Sequence, residues 1–461
     1  MTKLHSARQS VLVWQHMSKH IATLGFAYAA LLAPTVMAEP IIKDGWNNWT
    51  YGANQLSFNG YVRSTLGTDL HGHVMAAFQA PNTQSKYRLG NESDTNMELA
   101  LDYKHFFDGQ TNSNGRYLQL FGMLSDYQVN NRYGDLSINF DNRHIAQLYV
   151  KVGNVLGDGV SLWFGRRYYD RRDIHMNDHF WLNAMQGAHW GGGVEGVPLW
   201  GHRLDVALIQ ARDTAVADRN GSAITGKLNA YTLDMRYRDI KAWQNGALTL
   251  WGQTTYRPGT KKINYGDAYG FALGGWNTQE KVLGGRMVTA LTLRQGTSMV
   301  QGTFNAKAIR EDQGYRLGDA YAIELNNDLL WDNPKQNYSL QWVTVLRRED
   351  FGLNGNRTNW ASTGVRPIYY ITNHLGLAGE LGIDYSDNSG SGQGGFLTKG
   401  TVALQYANDR GYFSRPVARI FMTGATWSDD FKGSVGSAPG NASFSQRTSG
   451  LTFGAQFEWW W

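Results

Sequence analysis

The chain has no cysteine and only 9 prolines in 461 residues. The first absence rules out a disulfide framework and any thiolate metal site. Long apolar runs are missing as well: after residue 38 no stretch approaches the roughly 18 continuous apolar residues of a membrane helix. Such a chain is either secreted and soluble, or it crosses a membrane as strands. Charge of one sign is also scarce. The formal net charge is +5, but Lys3, Arg8 and Lys19 face no acid in residues 1–38, and removing those three leaves +2. So small an excess argues against nucleic acid as a partner.

What is abundant is glycine and aromatic residues, with 54 Gly, 24 Tyr and 17 Trp, and aromatics at 13% of the chain. Average soluble enzymes do not combine this much Trp, Tyr and Gly with so little Pro. Rows of strands with aromatic ends and glycine-rich turns do. Residues 1–38 read as an export signal. Lys19 and His20 precede an apolar run from Ile21 to Ala33, and Val36-Met37-Ala38 supplies a small-x-small cleavage pattern. Met17 is an alternative start. An N-terminal anchor is the alternative role, but the run is too short to span a bilayer.

Period-2 alternation recurs along the rest of the chain. Tyr231, Leu233, Met235 and Tyr237 share one face, opposite Thr232, Asp234, Arg236 and Arg238. Leu99, Leu101 and Tyr103 oppose Glu98, Asp102 and Lys104, and Leu148, Val150 and Val152 oppose Gln147, Tyr149 and Lys151. At the end of the chain Leu451, Phe453, Ala455, Phe457, Trp459 and Trp461 oppose Thr452, Gly454, Gln456, Glu458 and Trp460. A soluble sandwich also alternates. Here the segments run to about ten residues or more, as tilted membrane strands must. Tyr and Trp gather at their ends, where amphipathic rings meet the lipid–water interface, and the chain stops on an aromatic in mid-pattern. The expectation is an all-β transmembrane antiparallel barrel of about 18 strands. A short lead-in, 39–55, precedes a barrel over 56–461. Short links such as Asn154 to Asp158 and Asn373-His374 contrast with longer polar ones at Asp69 to Asn91, Arg212 to Thr225 and Asn388 to Gly395.

Several segments carry a family resemblance. They are Phe58-Asn-Gly-Tyr-Val-Arg63, Ser85-Lys-Tyr-Arg-Leu-Gly-Asn-Glu92, the run from Gly165 to Asp178, Gly364-Val-Arg-Pro367, Ser414-Arg-Pro416 and the ending Phe453 to Trp461. Together they resemble the maltoporin and sucrose-porin family of trimeric outer-membrane sugar channels, and they span the mature chain. The resemblance implies an aromatic slide for the C–H faces of sugar rings beside a polar track for their hydroxyls. It also implies that the loop from Tyr168 to Trp190 folds inward as a constriction.

Parity independently puts Tyr61 and Arg63 on the polar, lumenal face of the first strand, and Trp460 with Glu458 and Gln456 on the last. Tyr61 and Trp460 match slide positions of the family, and Phe180 stands where it has its constricting tyrosine. Arg63, Arg88, Arg143 and Arg171 match track arginines, Glu98 and Asp178 match its acids, and Asn183 replaces an acid. Arginine's planar fork suits paired hydroxyls better than lysine's point charge. The alternative for each charge is pairing with another across the lumen. Asn96, Leu273 and Ile371 stand in for three slide aromatics, so the slide is expected to be broken and long maltodextrins disfavoured. Trp251 shares parity with Thr249 and Gln253 and either replaces a lost ring or packs. His175 and His179, near Asp173 and Asp178, invite a metal reading, but nothing places them on one helix face. No metal, cofactor or catalytic set is expected. The function expected is passive, selective diffusion of oligosaccharides through a homotrimer in the outer membrane; the alternative is a general diffusion porin.

Overall fold

The computed structural model describes residues 42–43, 47–109, 111–112, 114–129, 144–182, 189–212, 229–259, 266–301, 317–333, 335–350, 352, 356–436, 444 and 446–461. The expected signal, Arg143 and Asn183 lie outside these residues. Eighteen barrel strands follow one another in chain order: β1 Asn54–Asp69, β2 Asp94–Phe106, β3 Tyr117–Val129, β4 His144–Gly153, β5 Ser161–Arg167, β6 His189–Leu199, β7 His202–Arg212, β8 Asn229–Ile240, β9 Gly246–Arg257, β10 Ala268–Val282, β11 Gly285–Gly296, β12 Tyr321–Asp332, β13 Tyr338–Asp350, β14 Arg357–Tyr370, β15 Leu375–Asn388, β16 Gln393–Ala407, β17 Val417–Trp427 and β18 Ser449–Trp460. Each pairs antiparallel with its neighbours, and β18 closes on β1 with Trp460 opposite Tyr61 and Glu458 opposite Arg63. Closure leaves no open edge in the ring, as lipid requires.

The alternation fixes which face each side chain takes. On β8, Thr232, Asp234 and Arg236 are fully buried inside, while Tyr231 and Met235 are exposed outside. Leu66, Leu101, Leu148, Ile420 and Phe453 belong to the same exposed apolar belt. A belt this extensive is covered by lipid, since soluble monomers rarely expose such area. Exposed rings cluster near the ends of the strands, with Trp200, Trp243, Tyr338, Tyr369 and Tyr406 toward the short turns and Tyr231, Tyr256, Tyr269 and Phe396 toward the loops. These match the two interfacial girdles of such barrels.

Two details differ from the sequence reading. Asn388 to Gly395 is not a long link: β15 runs to Asn388 and β16 starts at Gln393, paired directly as a tight hairpin. In the lead-in, Asn48–Tyr51 folds back on β1, with Asn48 opposite Ser57.

Candidate functional site: two inward loops and a half-open lumen

The loop after β5 turns into the barrel, as expected, and forms a small hairpin from Arg172–Ile174 and His179–Leu182. Its underside is apolar: Ile174, Met176, Trp181 and Leu182 pack against Trp251, Trp276, Val343, Val345 and Trp360 on the wall of β9 to β14. Polar anchors pin it at the margins. Arg294 donates to the Trp181 carbonyl at 2.5 Å, His179 Nε2 lies 2.7 Å from Glu324 Oε1, and Arg236 reaches Asp170 Oδ2 at 2.5 Å. Burial alone would push the Asp170 carboxyl up, yet Arg236, Arg172 and Arg238 hold it well below the usual carboxylate range. The loop ends sooner than expected, because Trp190 already belongs to β6 and faces outward, exposed.

This packing corrects the slide reading of Trp251. The residue points inward, but it is only 3% exposed, and its indole N–H donates to Asp234 Oδ2 at 2.8 Å. It supports the loop and offers no ring face to the channel.

The segment of residues 70–93, a polar link by its sequence, also folds inward and buries Met75, Phe78, Tyr87 and Leu89. Tyr87 lies against β14 and β15, its hydroxyl 2.9 Å from Ser362 Oγ. Glycine is needed there, since a Cβ at Gly364 or Gly382 would fall 2.3 or 2.0 Å from the ring. Thr401 and Thr423 donate to the carbonyls of Leu89 and Gly90, each at 2.9 Å. Arg88 then ties both loops to the wall. Its backbone N–H donates to the Met176 carbonyl at 3.1 Å, and its guanidinium bonds Glu92, Glu458, the Tyr61 hydroxyl and His175 Nδ1. Arg63 pairs with Glu92 and Asp94, each at 2.7 Å. The two arginines are 5% and 6% exposed. They were expected to line a track, yet here they are consumed in buried ion pairs, whose loss would strand charges away from water.

What remains open lies elsewhere. Tyr61 and Trp460 stack with centroids 6.3 Å apart. Phe413, in the turn between β16 and β17, stands 6.3 Å from Trp460, and His175 meets both rings edge-on at 5.3 and 5.7 Å. Arg415 sits 3.9 Å over the Trp460 ring and pairs with Glu458 at 2.6 Å. Phe413 and Trp460 line a cavity of about 560 Å³ with Asp170, Arg171, Asp173, Asp328 and Gln341. The constriction expected at Phe180 has a cation beside its ring: Arg171 lies 4.5 Å from Phe180 and 4.1 Å from Tyr168. Glu98 and Asp178 are partly exposed near it.

Phe413 was missed because it sits in a turn, where no parity applies. The two positions taken as lost slide rings also need correction. Leu273 faces outward from β10 at 55% exposure, and Ile371 lies in the turn after β14 at 52%, so neither interrupts the lumen. Asn96 does face inward, opposite Arg63. The two histidines diverge: His179 serves Glu324, and His175 lies between Arg88 and Arg415, whose guanidinium is 3.4 Å from Nε2. Among the described residues no cluster could hold a metal ion.

A closed barrel with an apolar belt outside, charged groups inside and a loop folded into the lumen has the architecture of an outer-membrane channel. The chain belongs to the LamB porin family, whose model matches residues 56–461. Among solved structures it is similar to OmpT of Vibrio cholerae in its trimer form, at 10% identity and a TM-score of 0.39, covering 89% of this chain and 100% of that one. It is also similar to OccAB2 of Acinetobacter baumannii, at 10% identity and 0.45, covering 88% and 98%, and to OccK2 (OpdF) of Pseudomonas aeruginosa, at 12% and 0.45, covering 88% and 97%. At these values the likenesses carry no argument about substrate.

Proposed function

We propose that this porin is selective for sugars, which cross by diffusion through weak, repeated binding. The observation that carries the reading is the group of Tyr61, Trp460 and Phe413 at the turn-side end, beside a cavity that also presents carboxylates and guanidiniums. Rings suit the C–H faces of a saccharide, and charged groups suit its hydroxyls. Sites must capture the sugar yet release it, so millimolar affinity is the useful range. Family membership supports a homotrimer as the working assembly, and residues 1–38 fit a leader removed on export.

The test is single-channel conductance with a panel of di- and trisaccharides. Transient block at millimolar concentration is expected. A current unaffected by every saccharide would leave a general diffusion porin, whose lumen needs charge but no ring platforms.

A further inference from the structure

A second cavity, of about 600 Å³, lies at the turn-side end of the lumen and shares only Asp170 and Arg171 with the aromatic one. Its wall is built from β4 to β8, and its character is different. Among the described residues Tyr168 is its one aromatic lining residue, whereas Lys151, Arg167, Arg171, Arg203 and Arg238 face three acids, Asp170, Glu195 and Asp205.

The acids are already engaged. Glu195 accepts from Lys151 and Arg167, each at 2.7 Å. Asp205 pairs with Arg238, and Asp170 with Arg236 and Arg238. Among the described residues no carboxylate lies within ion-pair distance of Arg203, and around Arg171 the acids Glu98, Asp173 and Asp178 stand near without pairing directly. The Arg203 guanidinium is also seated by the backbone. Gly159 and Gly196 adopt φ of +78° and +77°, and a Cβ at Gly159 would fall 2.6 Å from Arg203 Nη1. One at Gly196 would meet the Gly159 carbonyl oxygen at 2.2 Å, while the Gly196 N–H donates to Asp205 Oδ1 at 2.7 Å. The turn at Gly159 and the β6 bulge between Val194 and Val197 therefore lie against the guanidinium, while Arg203 as a whole is exposed and lines the cavity.

We propose that this cavity is a subsite for an anionic substituent on the sugar, a carboxylate or a phosphate, held by Arg203 and Arg171. The channel would then favour acidic over neutral saccharides. The inference rests on the sugar-channel reading, and its test separates the two. Current block is measured with a neutral disaccharide, its counterpart carrying one uronic acid, and its phosphorylated counterpart. Chloride conductance is measured with and without inorganic phosphate. In the native channel the acidic sugars should block at roughly fivefold lower concentration than the neutral one, in the range of a partly exposed ion pair. Arg203→Gln should bring that ratio close to one, and Arg203→Lys should restore part of it. The stronger of the two acidic arms identifies the source of the anion. If neutral and acidic sugars block equally and phosphate does not affect chloride conductance, the subsite is overturned while the sugar channel stands. If no sugar blocks but phosphate lowers chloride conductance in the native channel and not in Arg203→Gln, the anion site stands and the sugar channel falls.

Discussion

The inward-facing tryptophans of this barrel meet two different surroundings. On the side of β9 to β14, Trp251, Trp276 and Trp360 lie beneath the constriction loop with Trp181, all nearly inaccessible. On the side where β18 meets β1, Trp460 keeps surface beside Tyr61 and Phe413 and lines a cavity. Parity assigns both sets to the lumen. The difference is what covers them: an apolar loop seats on the first, whereas on the second Arg415 takes only part of the ring's surroundings. A ring that points inward is a binding surface only where nothing has packed on it.

The sharpest way to break this comparison is at the packed side. Trp181→Ala should remove roughly 3–5 kcal/mol of stability, the usual cost of emptying a buried tryptophan site. The loop would lose its seat, so ion conductance should rise as folded channel becomes harder to recover. An unchanged conductance accompanied by weaker sugar block would mean that Trp181 faces sugar, and the distinction would fail.

At the open side, Trp460→Ala removes a platform and leaves the wall intact. Stacked rings contribute roughly 0.5–1.5 kcal/mol, so sugar block should weaken by up to about tenfold with conductance nearly unchanged. Phe413→Ala should have a smaller effect in the same direction, about two- to threefold, since its ring sits at the edge of the group. Trp459→Ala, on the outward face of the same strand, should reduce barrel assembly and leave block alone. Were Trp459 to govern block instead, β18 would be out of register by one residue.

The antiparallel barrel of about 18 strands and the inward face of Tyr61, Arg63 and Trp460 were legible in alternation, and the inward loop in the family resemblance of its motif. Burial by loops was not, because alternation describes one strand and its two faces, never what a distant segment lays across them. Arg63 and Arg88 look like pore-lining cations until Glu92 and Glu458 are brought to them by the first loop and the barrel closure. A signal for that loop existed in its buried apolar residues Met75, Phe78, Tyr87 and Leu89, an unusual set for a solvated link. Leu273 and Ile371 failed for a different reason: they were placed by alignment and not by parity, and parity would have turned Leu273 outward, alongside Phe271.

The smallest expected effect concerns pH and the seam between the two sides. His175 rides on the constriction loop between Arg88 and Arg415, against Trp460 and Phe413. Burial first, and Arg88 next, hold its pKa well below the ordinary 6.5; Arg415 and Arg366 act the same way, and Glu458 opposes them. A loop lifted off its seat has an ordinary histidine, so it takes up a proton at higher pH than the seated loop. The seated state therefore has its full advantage above about pH 6.5 and loses it progressively on acidification. Conductance at pH 5 should exceed that at pH 7.5 by a modest factor, through more frequent loop release. His175→Asn should remove that increment and leave whatever pH dependence the lumenal carboxylates supply. A seated loop that becomes firmer in acid would show that Glu458 outweighs the arginines around the ring.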